Sequence, residues 1–191
     1  MPGKQAKIVN DAMLRQMLQY AETTTTPERD QVMILLSVKA GMRAVEIAGL
    51  TWPMVLTPRG GISDTIAIRD AIAKKNSGRI VPMHALLRQG LVRLALKSET
   101  NGAVIRSHRG GHMLPNSIVN WFVALYGTLG FEGCSSHSGR RTFITAAARN
   151  LHKAGCSLRD VQLLAGHRSI ETTQRYIDAD TNGQRRLVSL L

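Results

Sequence analysis

Between Pro58 and Pro82 the hydrophobic pattern changes period, and that change restricts the fold more than any other feature of the sequence. The runs DTIAIRD, AIAKK and RIVPM are short and β-favouring, and Asn76-Ser77-Gly78 is a turn signal between two of them. They predict a small antiparallel sheet of two or three strands. On both sides of it the apolar residues recur at helical spacing. Met13, Leu14, Met17 and Leu18 mark an amphipathic helix with Asn10 as its N-cap. A second helix has Thr26 as N-cap, Pro27 at its first position, acids in its first turn and Gly41 as terminator. Val32 to Leu36 are apolar all round, which places that helix in the core. A short helix, RAVEIAGL, stops near Trp52-Pro53. After the sheet, helices are expected over His84 to Ser98, Asn116 to Tyr126, Arg140 to Asn150, Leu158 to Ala165 and Ile170 to Tyr176, with a tail helix ending RRLVSLL. The class is mainly α with a small antiparallel β-sheet (α+β).

Aromatics supply only 4% of the chain, so a core of Leu, Ile, Val, Met and Ala is expected, which favours packed helices over an aromatic-rich sandwich. No low-complexity linker divides the 191 residues, so residues 1–191 read as one domain with a C-terminal tail at 178–191. The net charge of +12 points to a polyanionic partner, nucleic acid first. A membrane surface fits less well, because the basic residues are spread along the chain and not gathered on one amphipathic helix. The start lacks a signal-peptide core and no apolar run spans a bilayer, so a soluble, cytoplasmic protein is expected. Cys134 and Cys156 form no disulfide framework and read as free thiols. The pairs Cys134 with His137 and His108 with His112 lack the further ligands of a closed zinc site, so no metal or other cofactor is expected. The basic loop IRSHRGGH suits phosphate gripping and simple solvation equally well.

Four segments carry the chemistry, in this order: GMRAVEIAGLTW, AIAKKNSGRIVPM, HSGRRTFIT and LAGHRSIETTQRY. Together they resemble the tyrosine recombinase or phage integrase family, from about Gly41 to about Ile177. One such motif is weak evidence; four in the family's order are strong. The resemblance implies a catalytic domain of the DNA breaking-rejoining type that acts on double-stranded DNA.

Taken alone, Arg43 reads as a solvated cation and Glu46 as its ion-pair partner, since positions three apart share a helix face. The resemblance makes Arg43 the first phosphate-clamping arginine and Glu46 its acidic support. It places Lys74 on a β-hairpin as the acid that protonates the leaving 5′ oxygen, with the neighbouring Lys75 the residue most easily confused with it. His137 and Arg140 match the family's H-x-x-R pair. Arg140 would be the second guanidinium on the phosphate, and His137 a general base or donor near the nucleophile. Gly139 and Arg141 depart from the usual leucine and histidine and leave the packing of this helix start open.

His167 and Tyr176 stand nine residues apart, which is the family's spacing from its third phosphate-site residue to its nucleophile. A lone tyrosine is more often a half-buried structural residue, and a lone histidine a helix cap. A phenol attacks poorly until cations stabilise its ionised form and a base takes its proton. The implied chemistry is metal-free transesterification: Tyr176 attacks a phosphate held by Arg43, Arg140 and His167, and a 3′-phosphotyrosyl bond conserves the energy for rejoining. Four protomers would act on two duplexes, joined through the C-terminal tail. Two alternatives remain: a type IB topoisomerase, with a very similar site, and a DNA-binding regulator that has lost catalysis. About 40 residues precede Arg43, which fits either a minimal recombinase or an excised catalytic fragment.

Overall fold

The computed structural model describes residues 6–73, 77–176 and 188–189. Helix α1 (Asp11–Glu22) begins where the side chain of Asn10 accepts the Met13 N–H at 2.9 Å, so the expected cap is present. Helix α2 (Pro27–Ala40) starts at Pro27, whose missing N–H would have no helical partner anyway. The hydroxyl of Thr26 contacts Asp30 Oδ1 at 3.3 Å and does not cap the backbone. Residues 32–36 are buried on every face, and α1, α4 (Ala85–Lys97) and α6 (Ser138–Asn150) pack around α2. The apolar composition of α2 is thus explained by its central position.

At the end of α2, Gly41 adopts φ 63°, a left-handed turn that sends the chain into Arg43 and α3 (Ala44–Gly49). A β-carbon there would sit 2.4 Å from the ring of Phe143, so both backbone and packing require glycine. A 3₁₀ turn over Trp52–Met54 follows, at the Trp52-Pro53 stop read from the sequence.

Among the described residues the sheet has two strands, β1 (Thr65–Ile68) and β2 (Arg79–Pro82), antiparallel with Ile66 opposite Val81. The third β-run, AIAKK, does not form a strand in its described part: Asp70–Ile72 is a 3₁₀ turn. The reason is local. Asp70 Oδ1 accepts the Gly78 N–H at 2.8 Å while its carbonyl accepts the Ala73 N–H, so the chain curls at the point where a strand would have to extend. Lys74, Lys75 and Asn76, including the expected turn residue, lie outside the described residues.

Helices α5 (Pro115–Thr128), α7 (Leu158–Ala165) and α8 (Ile170–Gln174) are the remaining helices named among the described residues, and most of the expected tail helix lies outside them. Helix α8 ends before Tyr176, which lies in the turn that follows. The buried residues form two clusters. The larger is centred on α2, and the smaller joins Ile144 and Ala148 of α6 to Val161 and Ala165 of α7. Phe143 packs against both, so α6 bridges the core and the C-terminal helices. Tyr176 packs on the smaller cluster, which ties its position to the α6–α7 contact.

The departures at Gly139 and Arg141 have a structural reading. A β-carbon at 139 would lie 2.2 Å from Ser37 Oγ, so α6 approaches α2 too closely for leucine. Such overpacking costs about 1–3 kcal/mol where it is tolerated at all. Arg141 donates to the Ala6 carbonyl at 2.7 Å and holds the N-terminal segment along α6, where Val9 N–H also donates to Thr142 Oγ1.

Candidate active site

Glu46 is fully buried on α3, and its carboxylate is saturated with donors. Arg43 reaches Oε1 at 2.8 Å through its guanidinium and Oε2 at 2.9 Å through its backbone N–H. Arg79, at the start of β2, pairs with both oxygens at 2.9 and 3.0 Å. Burial opposes ionisation of this carboxyl, but Arg79, helped by Arg43, holds it below the usual carboxylate range. Removing one partner of such a buried pair typically costs about 3–5 kcal/mol, because a charge is left uncompensated. Arg79 also donates through Nε to the Leu164 carbonyl at 2.8 Å, so it fastens the hairpin to α7.

Arg140 is buried to 5% exposure and lies in the first turn of α6. Its two terminal nitrogens donate to the carbonyls of Gly41 and Ala165, which end α2 and α7. A planar fork suits two acceptors on separate elements. Burial, followed by repulsion from Arg43, pushes its pKa down to about 9, with Glu46 and Tyr176 acting in the opposite direction. The guanidinium stays charged at neutral pH, in surroundings where an incoming anion would be strongly favoured.

His167 follows the left-handed turn at Gly166 that ends α7. Its Nδ1 lies 3.0 Å from the hydroxyl of Thr173, which is fully buried. With Thr173 donating, Nε2 keeps the proton and serves as a donor. Its ring stacks against that of Tyr176 at 5.7 Å and 24°. Tyr176, Arg140 and the exposed His137 line one open pocket of about 310 Å³.

The structure therefore gathers Arg43, Glu46, His137, Arg140, His167 and Tyr176 into one region. Lys74 lies outside the described residues. Sequence reasoning gave no site role to Arg79 or Thr173. Arg79 carried no signal beyond its place at the start of the return strand, since its partner Glu46 stands 33 positions away on α3. Thr173 had none beyond its place six residues after His167. Among the described residues no group of three or more His, Cys, Asp or Glu could hold a metal ion, and no helix is long and apolar enough to cross a membrane.

Burial, then the cations Arg140, Arg43 and Arg79, push the His167 pKa down to about 4. An unfolded histidine titrates near 6.5. Below that value the unfolded chain binds a proton that the folded chain refuses until about pH 4. Stability is therefore whole above about pH 6.5 and is lost as pH falls toward 4. The unscreened ceiling is about 3 kcal/mol; for a half-buried ring, solvent should reduce it to roughly 1–2 kcal/mol. Urea midpoints of wild type and His167→Gln at about pH 7.5 and about pH 4.5 test this. Wild type should lose more on acidification, and equal losses would remove His167 as the source.

The phage integrase family model matches residues 7–182. Tyrosine recombinase XerD of Rickettsia conorii is 26% identical over 197 residues, covering 94% of this chain and 62% of that protein. Tyrosine recombinase XerC of Bradyrhizobium diazoefficiens is 30% identical over 158 residues, covering 80% of this chain and 46% of that protein. The chain thus spans about half to three-fifths of the length of these curated relatives. A structure of the Tn1549 transposon integrase in complex with a circular intermediate DNA shares the fold, with a TM-score of 0.79 at 17% identity over 100% of this chain and 67% of that one. A family model that covers nearly the whole chain, on a fold shared with a transposon integrase, shows that this chain belongs to the phage integrase family.

Proposed function

We propose that the chain is the catalytic part of a site-specific DNA recombinase that cleaves and rejoins strands through Tyr176. The observation that carries this reading is the stacking of Tyr176 on His167 within a cluster of Arg43, Arg79 and Arg140, drawn from distant stretches of sequence. Three guanidiniums against one buried carboxylate leave the cluster cationic, which suits a phosphodiester passing through a pentacoordinate state. Double-stranded DNA is the partner, and the chain's net charge of +12 favours it over other polyanion classes only in combination with this site.

In the proposed step the phenol oxygen of Tyr176 attacks phosphorus, its proton passing to His137. The P–O5′ bond breaks as Lys74 protonates the departing 5′ oxygen. Arg43, Arg140 and the Nε2 donor of His167 hold the non-bridging oxygens, while Glu46 and Arg79 position Arg43. A 3′-phosphotyrosyl bond replaces the broken ester, so a second strand's 5′ hydroxyl can reverse the step without a nucleotide cofactor. None of these roles calls for a metal ion.

Recombination needs a partner duplex, and four protomers linked through their C-terminal tails would bring two duplexes together. Of the tail only Val188 and Ser189 are described, and Val188 is exposed. The test uses two duplexes of different length that carry DNA recovered from adducts on sequence flanking the gene. Recombinant products that persist in EDTA support the proposal. Relaxation of supercoiled plasmid without exchange would favour the topoisomerase alternative, and binding without any adduct would favour the inactive regulator.

A further inference from the structure

The pocket beside Tyr176 contains more positive charge than one phosphate requires. Arg140 reaches it from the buried side, and Arg141, Arg175 and His137 form its walls, with no carboxylate among the described lining residues. Arg140 is committed to the carbonyls of Gly41 and Ala165. Arg141 is half-buried and spends one nitrogen on the Ala6 carbonyl, which fixes the guanidinium at the rim and leaves further donors available. Arg175 immediately precedes the proposed nucleophile and is exposed. Glu171 interacts with it electrostatically, and the Glu171 carboxylate also accepts the hydroxyl of Ser169. A cavity of about 310 Å³ exceeds what a single phosphoryl group fills, and its described lining includes Arg140 and Tyr176 but not Arg43, Glu46 or Arg79.

We infer that Arg141 and Arg175 hold a second backbone phosphate, the neighbour of the attacked one on the same strand. The inference rests on the reading of Tyr176 as the nucleophile of a DNA strand. A planar fork anchored at one nitrogen is preorganised for an anionic oxygen and loses little entropy on binding it. A grip on the adjacent phosphate would set the strand's register, so that the phosphorus lies in line with the phenol oxygen. It also gives a use to the arginine at position 141, where the family motif usually carries histidine: its side chain lines the pocket and reaches Ala6.

The test measures how the affinity of a short mixed-sequence duplex depends on salt, for the whole chain and for Arg141→Gln, Arg175→Gln and the double variant. One phosphate contact contributes a slope of about 0.9 in log affinity against log salt. The double variant should lose about that much, and each single variant less. Because Arg141 also tethers Ala6, Arg175→Gln serves as the variant that leaves the N-terminal segment in place. Arg93→Gln, on α4, controls for loss of charge alone. A wild-type slope in the double variant, or an equal loss in Arg93→Gln, would overturn the inference.

On adduct-derived DNA, replacing the adjacent phosphate by a neutral methylphosphonate should slow wild-type cleavage and leave the double variant's rate unaffected. Equal slowing of both would also overturn it. Failure of the Tyr176 reading is distinguishable, because it appears as absent adducts while the salt slopes remain intact.

Discussion

Tyr176→Phe is expected to abolish covalent protein–DNA adducts while leaving DNA affinity nearly unchanged. The substitution removes one oxygen and no cation. The ring keeps its seat on Ile144, Ala148, Val161 and Ala165 and its stacking on His167, so fold and site geometry should survive. Affinity comes from phosphate neutralisation by arginines, to which the phenol contributes nothing. Chemistry, by contrast, loses its activated phenol: the polar groups left among the described lining residues are guanidiniums, an imidazole and the Thr172 hydroxyl, an aliphatic alcohol that ionises far less readily than a phenol. The measurement is an adduct that survives detergent and protease digestion on an end-labelled strand. Persistence of that adduct in the Phe variant would refute the assignment.

The second large effect should come from Arg140→Lys. An ammonium cannot donate to the Gly41 and Ala165 carbonyls together and still face a phosphate, because it lacks the flat fork. Single-turnover cleavage is expected to fall by about 10²–10³, the range seen when one preorganised oxyanion donor is lost. Two buried carbonyls would also be left short of a donor, which lowers stability by about 1–3 kcal/mol. Cleavage rate and urea midpoint should therefore both drop. Charge-dependent binding should fall little, since the variant keeps its cation. Cleavage within about tenfold of wild type, a difference of only about 1.4 kcal/mol, would remove Arg140 from the phosphate clamp.

The pairing of Arg79 with Glu46 shows how the two levels of description divide. Both residues stand in segments whose type was legible: a short helix after a glycine turn, and the return strand of a hairpin. Nothing in the local pattern states that a strand-opening arginine will saturate a carboxylate 33 positions away. Gly139 is similar. In sequence it is a departure of unknown cost; in the structure it is the point where α6 touches Ser37 of α2. Of the two or three strands expected, the described residues form two, for the opposite, purely local reason: the Asp70 carboxylate captured the Gly78 N–H and turned the chain.

By itself the sequence determined the helices, the hairpin and their order, because burial on one face imposes a period on the chain and caps mark its ends. It also supplied the residues proposed for phosphate transfer, since motif order and spacing are properties of the chain. Tertiary structure alone decided which of those residues share one charge environment. Arg140 meets Gly41 across 99 positions and Ala165 across 25, and His167 takes its depressed pKa from burial and from arginines on three other elements. Periodicity specifies that a face is buried but not what it is buried against. Contacts between distant faces, and the desolvation and repulsion they create, exist only once α2, α6 and α7 have packed.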